Sequence, residues 1–261
     1  MQQAAFFDLD KTVIAKSSTL AFTGQFQKAG MVGRRSLLRA AMAQTMFMFF
    51  GADQEQLEKT RDALLELTRG WDRDEVERIV QETIDDVVAP LVYAEALFLI
   101  DEHFREGRRV FIVSASPEEI VRPLARYIGV DEIIATRPET DDHNRYTGKV
   151  AFYAYADNKA AEIRRLAAAQ GIALVDSYAY SDSISDLPMM EAVGHPHAVN
   201  PDKELREVAE ERGWPILEFR RQVSLRTRLT RPVPLISGAT VAGLVAAAVV
   251  WTILRGRRSA A

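Results

Sequence analysis

The chain has 261 residues, 48% of them apolar and 27% charged, with a formal net charge of −4. Those figures suit one large globular domain or two modest ones and exclude a disordered chain. It contains no cysteine, which excludes a disulfide framework, a thiolate nucleophile and any cysteine metal site.

The first predicted element is Ala4 to Leu9, an apolar run that fits a fully buried parallel strand. Two aspartates, Asp8 and Asp10, stand at its end. Carboxylates this close repel, so the pattern calls for a cation beside them. From about Lys16 to Pro90 the chain reads as helical, with no convincing strand. Leu57, Leu64, Leu65 and Leu67 stand among charges, and Val76, Ile79, Val80, Ile84 and Val87 recur at helical spacing. Asp72 to Glu75 resembles a capping box at the start of the second stretch. An insertion of roughly 70 residues far exceeds the usual connection of about 4–6, and predicts a helical cap placed over the strand ends. Inside it, Arg34 to Ala52 is rich in methionine and phenylalanine (Met42, Met46, Phe47, Met48, Phe49, Phe50). That segment is expected to pack within the cap. The alternative has it lining a site for an acyl chain or dipping into a bilayer.

From about Tyr93 to Phe219 strand and helix alternate. Arg109 to Ala115 follows the stop signal Gly107, and Glu132 to Ala135, Leu174 to Ser181 and His197 to Val199 are the later strands. A helix ending at Gly171 precedes the fourth. The alternation predicts βαβ units, hence an α/β, Rossmann-like parallel sheet covered on both faces. His195 and His197 are expected to flank a loop proline, and His103 and His143 to be surface or helix residues.

The tail reverses the charge balance. From Leu217 onward eight arginines face one acid, Glu218, and the remaining 25 basic residues face 36 acidic ones. Between the arginines, Val233 to Leu254 runs for 22 residues without a charge. That meets the length of about 20 that a spanning helix needs. Trp251 near one end and arginines at both ends complete the prediction of a C-terminal transmembrane helix with membrane lipid as its partner. Ala239 and Gly243, four apart, would let two such helices pack as a homo-oligomer. With no signal peptide before Asp8, and five arginines on the body side against three beyond the span, the body is expected in the cytoplasm. Lipid explains the basic tail and the body is acidic, so no nucleic-acid partner is expected.

Ligands of an open parallel sheet bind beyond the carboxyl ends of its strands. Those ends would bring Asp8, Asp10 and Thr12 together with Ser114, Ala115 and Ser116, with Asp182 and Asp186, and with Lys159 from the helix before the fourth strand. Four carboxylates around one lysine would repel strongly. Mg²⁺, which takes one or two carboxylates with water and phosphate oxygens, would reconcile them.

"DLDKT", a strand ending in "SAS", a lysine about 45 residues later and "SDSISDLPMM" resemble, in that order, the four motifs of the haloacid dehalogenase superfamily. The resemblance spans residues 4 to 215. The helical insertion is similar to the cap of the branch that contains phosphoserine phosphatase. What it implies is a Mg²⁺-dependent phosphomonoester hydrolase. Asp8 would be the nucleophile that forms an aspartyl phosphate, and Asp10 the acid and base that serves the leaving alkoxide and then water. Ser114, the Ala115 N–H and Lys159 would bind the transferring oxygens, with Thr12 orienting the loop at the substrate side. The metal would be held by Asp8, the Asp10 carbonyl and Asp182, with Asp186 behind them. Dehalogenation is disfavoured, because an acid two residues past the nucleophile serves an alkoxide rather than a halide.

The implied layout is a catalytic core over 1–15 and 91–219, a cap over 16–90, a basic linker over 220–232, the spanning helix over 233–254 and a basic tail over 255–261. Phosphoserine phosphatases usually carry a glutamate nine residues past the nucleophile, where this chain has Ser17. The substrate is therefore expected to be either a small phosphomonoester or a membrane lipid phosphate. A membrane-tethered binding or scaffold protein with a relict phosphatase site is the alternative.

Overall fold

The computed structural model describes residues 2–31 and 65–222. The strands are β1 (Ala4–Asp8), β2 (Arg109–Pro117), β3 (Glu132–Thr140), β4 (Tyr146–Phe152), β5 (Tyr178–Ser181), β6 (His195–Val199) and β7 (Ile216–Leu217). The helices are α1 (Ser18–Lys28), α2 (Arg73–Val87), α3 (Ala94–Arg105), α4 (Glu118–Tyr127), α5 (Asp157–Gln170), α6 (Leu187–Met190) and α7 (Lys203–Arg212). The described residues fall in a unit spanning Met1–Ser224.

β1 lies at the centre of a seven-stranded sheet of order β4-β3-β2-β1-β5-β6-β7, parallel to β2 on one side and β5 on the other. Both its edges and both its faces are covered, so all five residues are buried, and this is why it reads as an unbroken apolar run instead of an alternating one. Side chains still alternate between faces. Phe6 stacks on Phe111 with ring centroids 5.1 Å apart, in a cluster that receives Ile163 and Ala167 from α5, Met189 and Met190 from α6 and Leu205 from α7. Phe7 points the other way and stacks on Tyr180 at 4.3 Å, under His103 of α3.

The expected parallel α/β sheet is present, with differences at its margins. The third strand continues past Ala135 to Thr140 and folds back as β4, which is antiparallel to β3. Much of this hairpin is only partly buried, so it lacks the apolar run that marks the inner strands. Leu174–Asp176 forms a 3₁₀ turn, and the fourth parallel strand starts at Tyr178. His195, Pro196 and His197 lie within β6, not in a loop: Pro196 is in register with Ala179, and His197 stacks on Tyr180 at 4.9 Å. His103 is 3% exposed, a core residue of α3.

In the described parts of the insertion, α1, a helical turn at residues 65–68 and α2 are as expected. Asp72 caps α2, its Oδ1 accepting from the Glu75 N–H at 3.1 Å, and α2 packs on α4 and α1. The methionine- and phenylalanine-rich segment over 34–52 lies outside the described residues, as do the predicted spanning helix over 233–254 and the basic tail over 255–261.

The expected membrane anchoring is corrected. Among the described residues no helix is long and apolar enough to cross a membrane. The longest of the named helices, α2, has 15 residues, about 22 Å at 1.5 Å per residue against a hydrocarbon core of about 30 Å, and it carries charges throughout.

Candidate active site

Asp8 is the last residue of β1, at the carboxyl end of the central strand. The chain then reverses within a few residues: Val13 and Ile14 both donate to the Leu9 carbonyl at 3.0 Å. Lys11 takes φ 62° to make that turn, a left-handed conformation that costs a side-chain-bearing residue about 1–2 kcal/mol. This tight reversal lets Asp8 and Asp10, only two residues apart, reach different surroundings.

Asp8 faces a lysine. Lys159, in the first turn of α5, is 3% exposed and donates to Asp8 Oδ1 at 2.7 Å and to both oxygens of Asp186 at 2.8 and 2.9 Å. The three N–H donors of its ammonium are thereby matched by three carboxylate oxygens. Ser181, the last residue of β5, donates to Asp186 Oδ2 at 2.7 Å. Just upstream of Lys159, Ala156 takes a positive φ of 47° before the helix begins, a sparsely populated conformation for a residue that carries a side chain. Burial pushes the Asp8 carboxyl up. Lys159 pulls it back, and Asp186, Asp10 and Asp182 push it up again, leaving it well above the ordinary value. Burial also opposes the charge on Lys159, but Asp8 and Asp186 outweigh it and raise the ammonium's pKa.

Asp10 faces neutral donors. Its Oδ1 accepts from the Ser18 backbone N–H at 2.7 Å and its Oδ2 from the Ser116 hydroxyl at 3.2 Å. Burial raises its pKa, against the pull of the Ser18 and Ser116 donors. Ser114 Oγ accepts from the Ser116 N–H at 3.1 Å, and Thr136 Oγ1 donates to the Ala115 carbonyl at 2.7 Å. The Ala115–Ser116 peptide is therefore held at both ends. This is where the β2–β3 register shifts, between Ser114 and Pro117.

Asp182 follows β5 and is 7% exposed. Burial lifts its carboxyl to about 6, with Lys11 opposing and Asp186 adding. Lys11 Nζ lies 3.9 Å from Asp182 Oδ2 on an exposed side chain. Thr12 is fully buried, and its hydroxyl has no hydrogen-bond partner.

The predicted residues thus fall into two hydrogen-bonded groups. One joins Asp8, Lys159 and Asp186, and the other joins Asp10 and Ser114 through Ser116. Asp182 is buried and faces Lys11, and the buried Thr12 side chain belongs to neither hydrogen-bonded group. Sequence reasoning gave no role to Ser18, Ser181 or Asp202. Asp202 caps α7 by accepting from the Leu205 N–H at 2.8 Å, and also accepts from Ile184 N–H at 3.0 Å, while its own N–H donates to the Asp182 carbonyl at 2.7 Å. It fixes the loop that carries Asp182 and Asp186. The Asn-Pro-Asp start of α7 was the signal that could have revealed it.

Comparison with known proteins gives the same direction. The sequence pattern of haloacid dehalogenase-like hydrolases matches residues 5–191. A probable phosphatase of Mycobacterium tuberculosis is 50% identical, over 97% of this chain and 89% of its own. A phosphoserine phosphatase of the same organism is 32% identical, over 83% of this chain and 71% of its own. A solved structure from Bordetella pertussis, of a protein with unknown function, is 30% identical with a TM-score of 0.72, covering 83% of this chain and 98% of that one.

Proposed function

We propose, from the premise that the chain belongs to the haloacid dehalogenase-like hydrolases and is a phosphatase of the phosphoserine phosphatase-like kind, that it hydrolyses a small phosphomonoester through an aspartyl phosphate on Asp8. The catalytic core is assigned to 1–15 and 91–219 and the cap to 16–90.

The observation that carries this reading is the contrast between Asp8 and Asp10. One is held by a buried ammonium that opposes the rise burial imposes on it, and the other by a backbone amide and a hydroxyl. Two carboxyl groups in different environments divide into a nucleophile and an acid. Asp8 attacks phosphorus, the bond from phosphorus to the ester oxygen breaks, and Asp10 gives its proton to the departing alkoxide. Water then attacks the aspartyl phosphate, Asp10 takes its proton, and Asp8 and inorganic phosphate are released. Lys159 orients Asp8, and Ser114 with the Ala115 N–H receives the transferring oxygens. Asp186 acts by fixing Lys159, to which both its oxygens are bound.

The donor set suits Mg²⁺. Asp8 and Asp186 share one buried cation, Lys159, and the buried Asp182 adds a further negative charge that acts on Asp8, an excess that another cation would relieve. Among the described residues no three His, Cys, Asp or Glu side chains are grouped to hold an ion by themselves. Mg²⁺ takes one or two carboxylates with water and substrate oxygens. Asp8, Asp182 and the Asp10 carbonyl would hold it, and it would supply screening between the nucleophile and an anionic phosphate.

The test is phosphate release from phosphoserine, sugar phosphates and detergent-dispersed lipid phosphates, with and without Mg²⁺, using Asp8→Asn as the blank. Mg²⁺-dependent turnover of the water-soluble esters is expected. Turnover confined to lipid phosphates would replace the small substrate, and equal release by the Asp8→Asn protein would remove the mechanism.

A further inference from the structure

We infer that Ser116 is a positioning residue for Asp10, and that it ties the acid's orientation to the first helix of the insertion. This rests on the proposed role of Asp10 as proton donor. Ser116, 6% exposed, uses its hydroxyl completely. It donates to Asp10 Oδ2 at 3.2 Å, accepts from the Ser18 hydroxyl at 2.9 Å, and lies 3.0 Å from Thr19 Oγ1. A serine hydroxyl offers one donor and two acceptor positions. With its proton directed to Asp10, Thr19 becomes its second donor. Each bond polarises the next.

The partners come from three separate segments. Asp10 belongs to the loop after β1, Ser116 to the end of β2, and Ser18 and Thr19 to the first turn of α1. Ser18 is fully buried and holds both ends of the arrangement. Its N–H donates to Asp10 Oδ1 at 2.7 Å and its hydroxyl donates to Ser116. Both oxygens of Asp10 are therefore fixed by groups that α1 supplies or supports. Docking of α1 completes the geometry of the acid, and Ser116 transmits that docking to the second oxygen.

A residue that aims the acid matters in proportion to how much the leaving group needs a proton. An alkanol leaves as a strongly basic alkoxide and needs it; nitrophenol leaves readily as its anion. General acid–base catalysis contributes about 10²–10⁴-fold, and misaiming the acid forfeits part of that.

The experiment measures kcat/KM over a series of phosphate monoesters running from alkanols to nitrophenol. In Ser116→Ala the alkanol esters should fall about tenfold while nitrophenyl phosphate stays within about twofold. Ser116→Thr, which restores the hydroxyl, should return the alkanol esters toward the wild-type value. In an Asp10→Asn background Ser116→Ala should have no further leaving-group-dependent effect. A loss equal across the series, no loss at all, or the same leaving-group dependence with Asp10 already replaced would overturn the inference. Failure of the underlying reading shows separately, as wild-type turnover no greater than that of Asp8→Asn on every ester.

Discussion

The ammonium of Lys159 lies 2.7 Å from Asp8 Oδ1, with both side chains buried, and the same nitrogen is saturated by the two oxygens of Asp186. One residue thus neutralises a carboxylate at the end of β1 and another in the segment after β5. Removing the cation leaves two buried anions facing each other, and breaking a buried pair from one side costs about 3–5 kcal/mol. Lys159→Met, which keeps the length of the side chain, should lose that much in urea denaturation at pH 7 without added divalent cation, along with activity. Asp186→Asn removes one anion and should cost less. A Lys159→Met protein within about 1 kcal/mol of wild type would show that Lys159 does not hold the site together.

The sheet face opposite the Phe6 cluster contains a histidine that cannot easily be charged. Arg108 donates to His103 Nδ1 at 3.0 Å, so that nitrogen is the acceptor, and Nε2 carries the hydrogen 2.9 Å from the Tyr180 hydroxyl. Burial first, then the Arg108 and His197 charges, lower its pKa to about 4. The unfolded chain, with an ordinary histidine value of about 6.5, takes up a proton as pH falls below that range while the folded protein does not. Stability from this group is complete above pH 6.5 and is lost on acidification toward pH 4. Between pH 7.5 and pH 5 the loss should be on the order of 1–2 kcal/mol. His103→Gln should abolish that part of the slope. An unchanged slope in urea titrations at the two pH values would assign it to other groups.

The elements that could be read from the sequence are those whose environment leaves a periodic or continuous mark. β1 and the early part of β2 are buried on both faces and appear as apolar runs, while α2 carries Val76, Ile79, Val80 and Ile84 into the core at helical spacing. The hairpin of β3 and β4 left no such mark, because its residues are mixed in exposure and its register slips. β7 has two residues, too few for any pattern. At the site, the motif residues stood out because acidic groups at apolar strand ends are costly without a partner. The residues that orient them, Ser18, Ser116 and Ser181, are ordinary hydroxyls whose roles depend on neighbours up to 106 positions away. Spacing along the chain cannot encode that. His103 lies in a helix, one of the two expected settings, but its burial is not legible for a related reason: nothing local distinguishes a helix histidine that faces solvent from one that faces Tyr180.

Arg73 joins the insertion to the core. Its guanidinium donates to Glu119 at 2.7 Å and to Glu118 at 2.6 Å in the first turn of α4, directly after the β2 end that carries Ser114 and Ser116. The neighbouring backbone reinforces the contact, with Gly70 N–H donating to the Tyr146 carbonyl at 2.8 Å and Tyr146 N–H to the Trp71 carbonyl at 2.9 Å. Burial raises the Glu119 carboxyl and Arg73 opposes that rise. Arg73→Ala should destabilise by about 2 kcal/mol, below the full value for a buried pair because the arginine is about a third exposed. Arg73→Lys should recover only part, since an ammonium cannot serve both carboxylates with the same fork. Hydrogen exchange should quicken in α2 and in the β3–β4 turn before it does in β1. Uniform acceleration across the sheet would indicate global destabilisation instead of a released cap contact.

The Thr12 side chain is fully buried and its Oγ1 has no hydrogen-bond partner. A hydroxyl in that state contributes an unmet desolvation cost of about 1–3 kcal/mol. Valine has nearly the same shape without the polar atom. Thr12→Val should therefore leave urea stability unchanged or raise it by up to about 1 kcal/mol, and should leave kcat/KM for the alkanol esters within about twofold. The two readouts separate its possible roles. A stability loss would mean the hydroxyl has a bonded partner in solution. A fall in kcat/KM at full stability would mean that Thr12 turns toward substrate when the site is loaded, and that the buried position belongs to the unliganded protein.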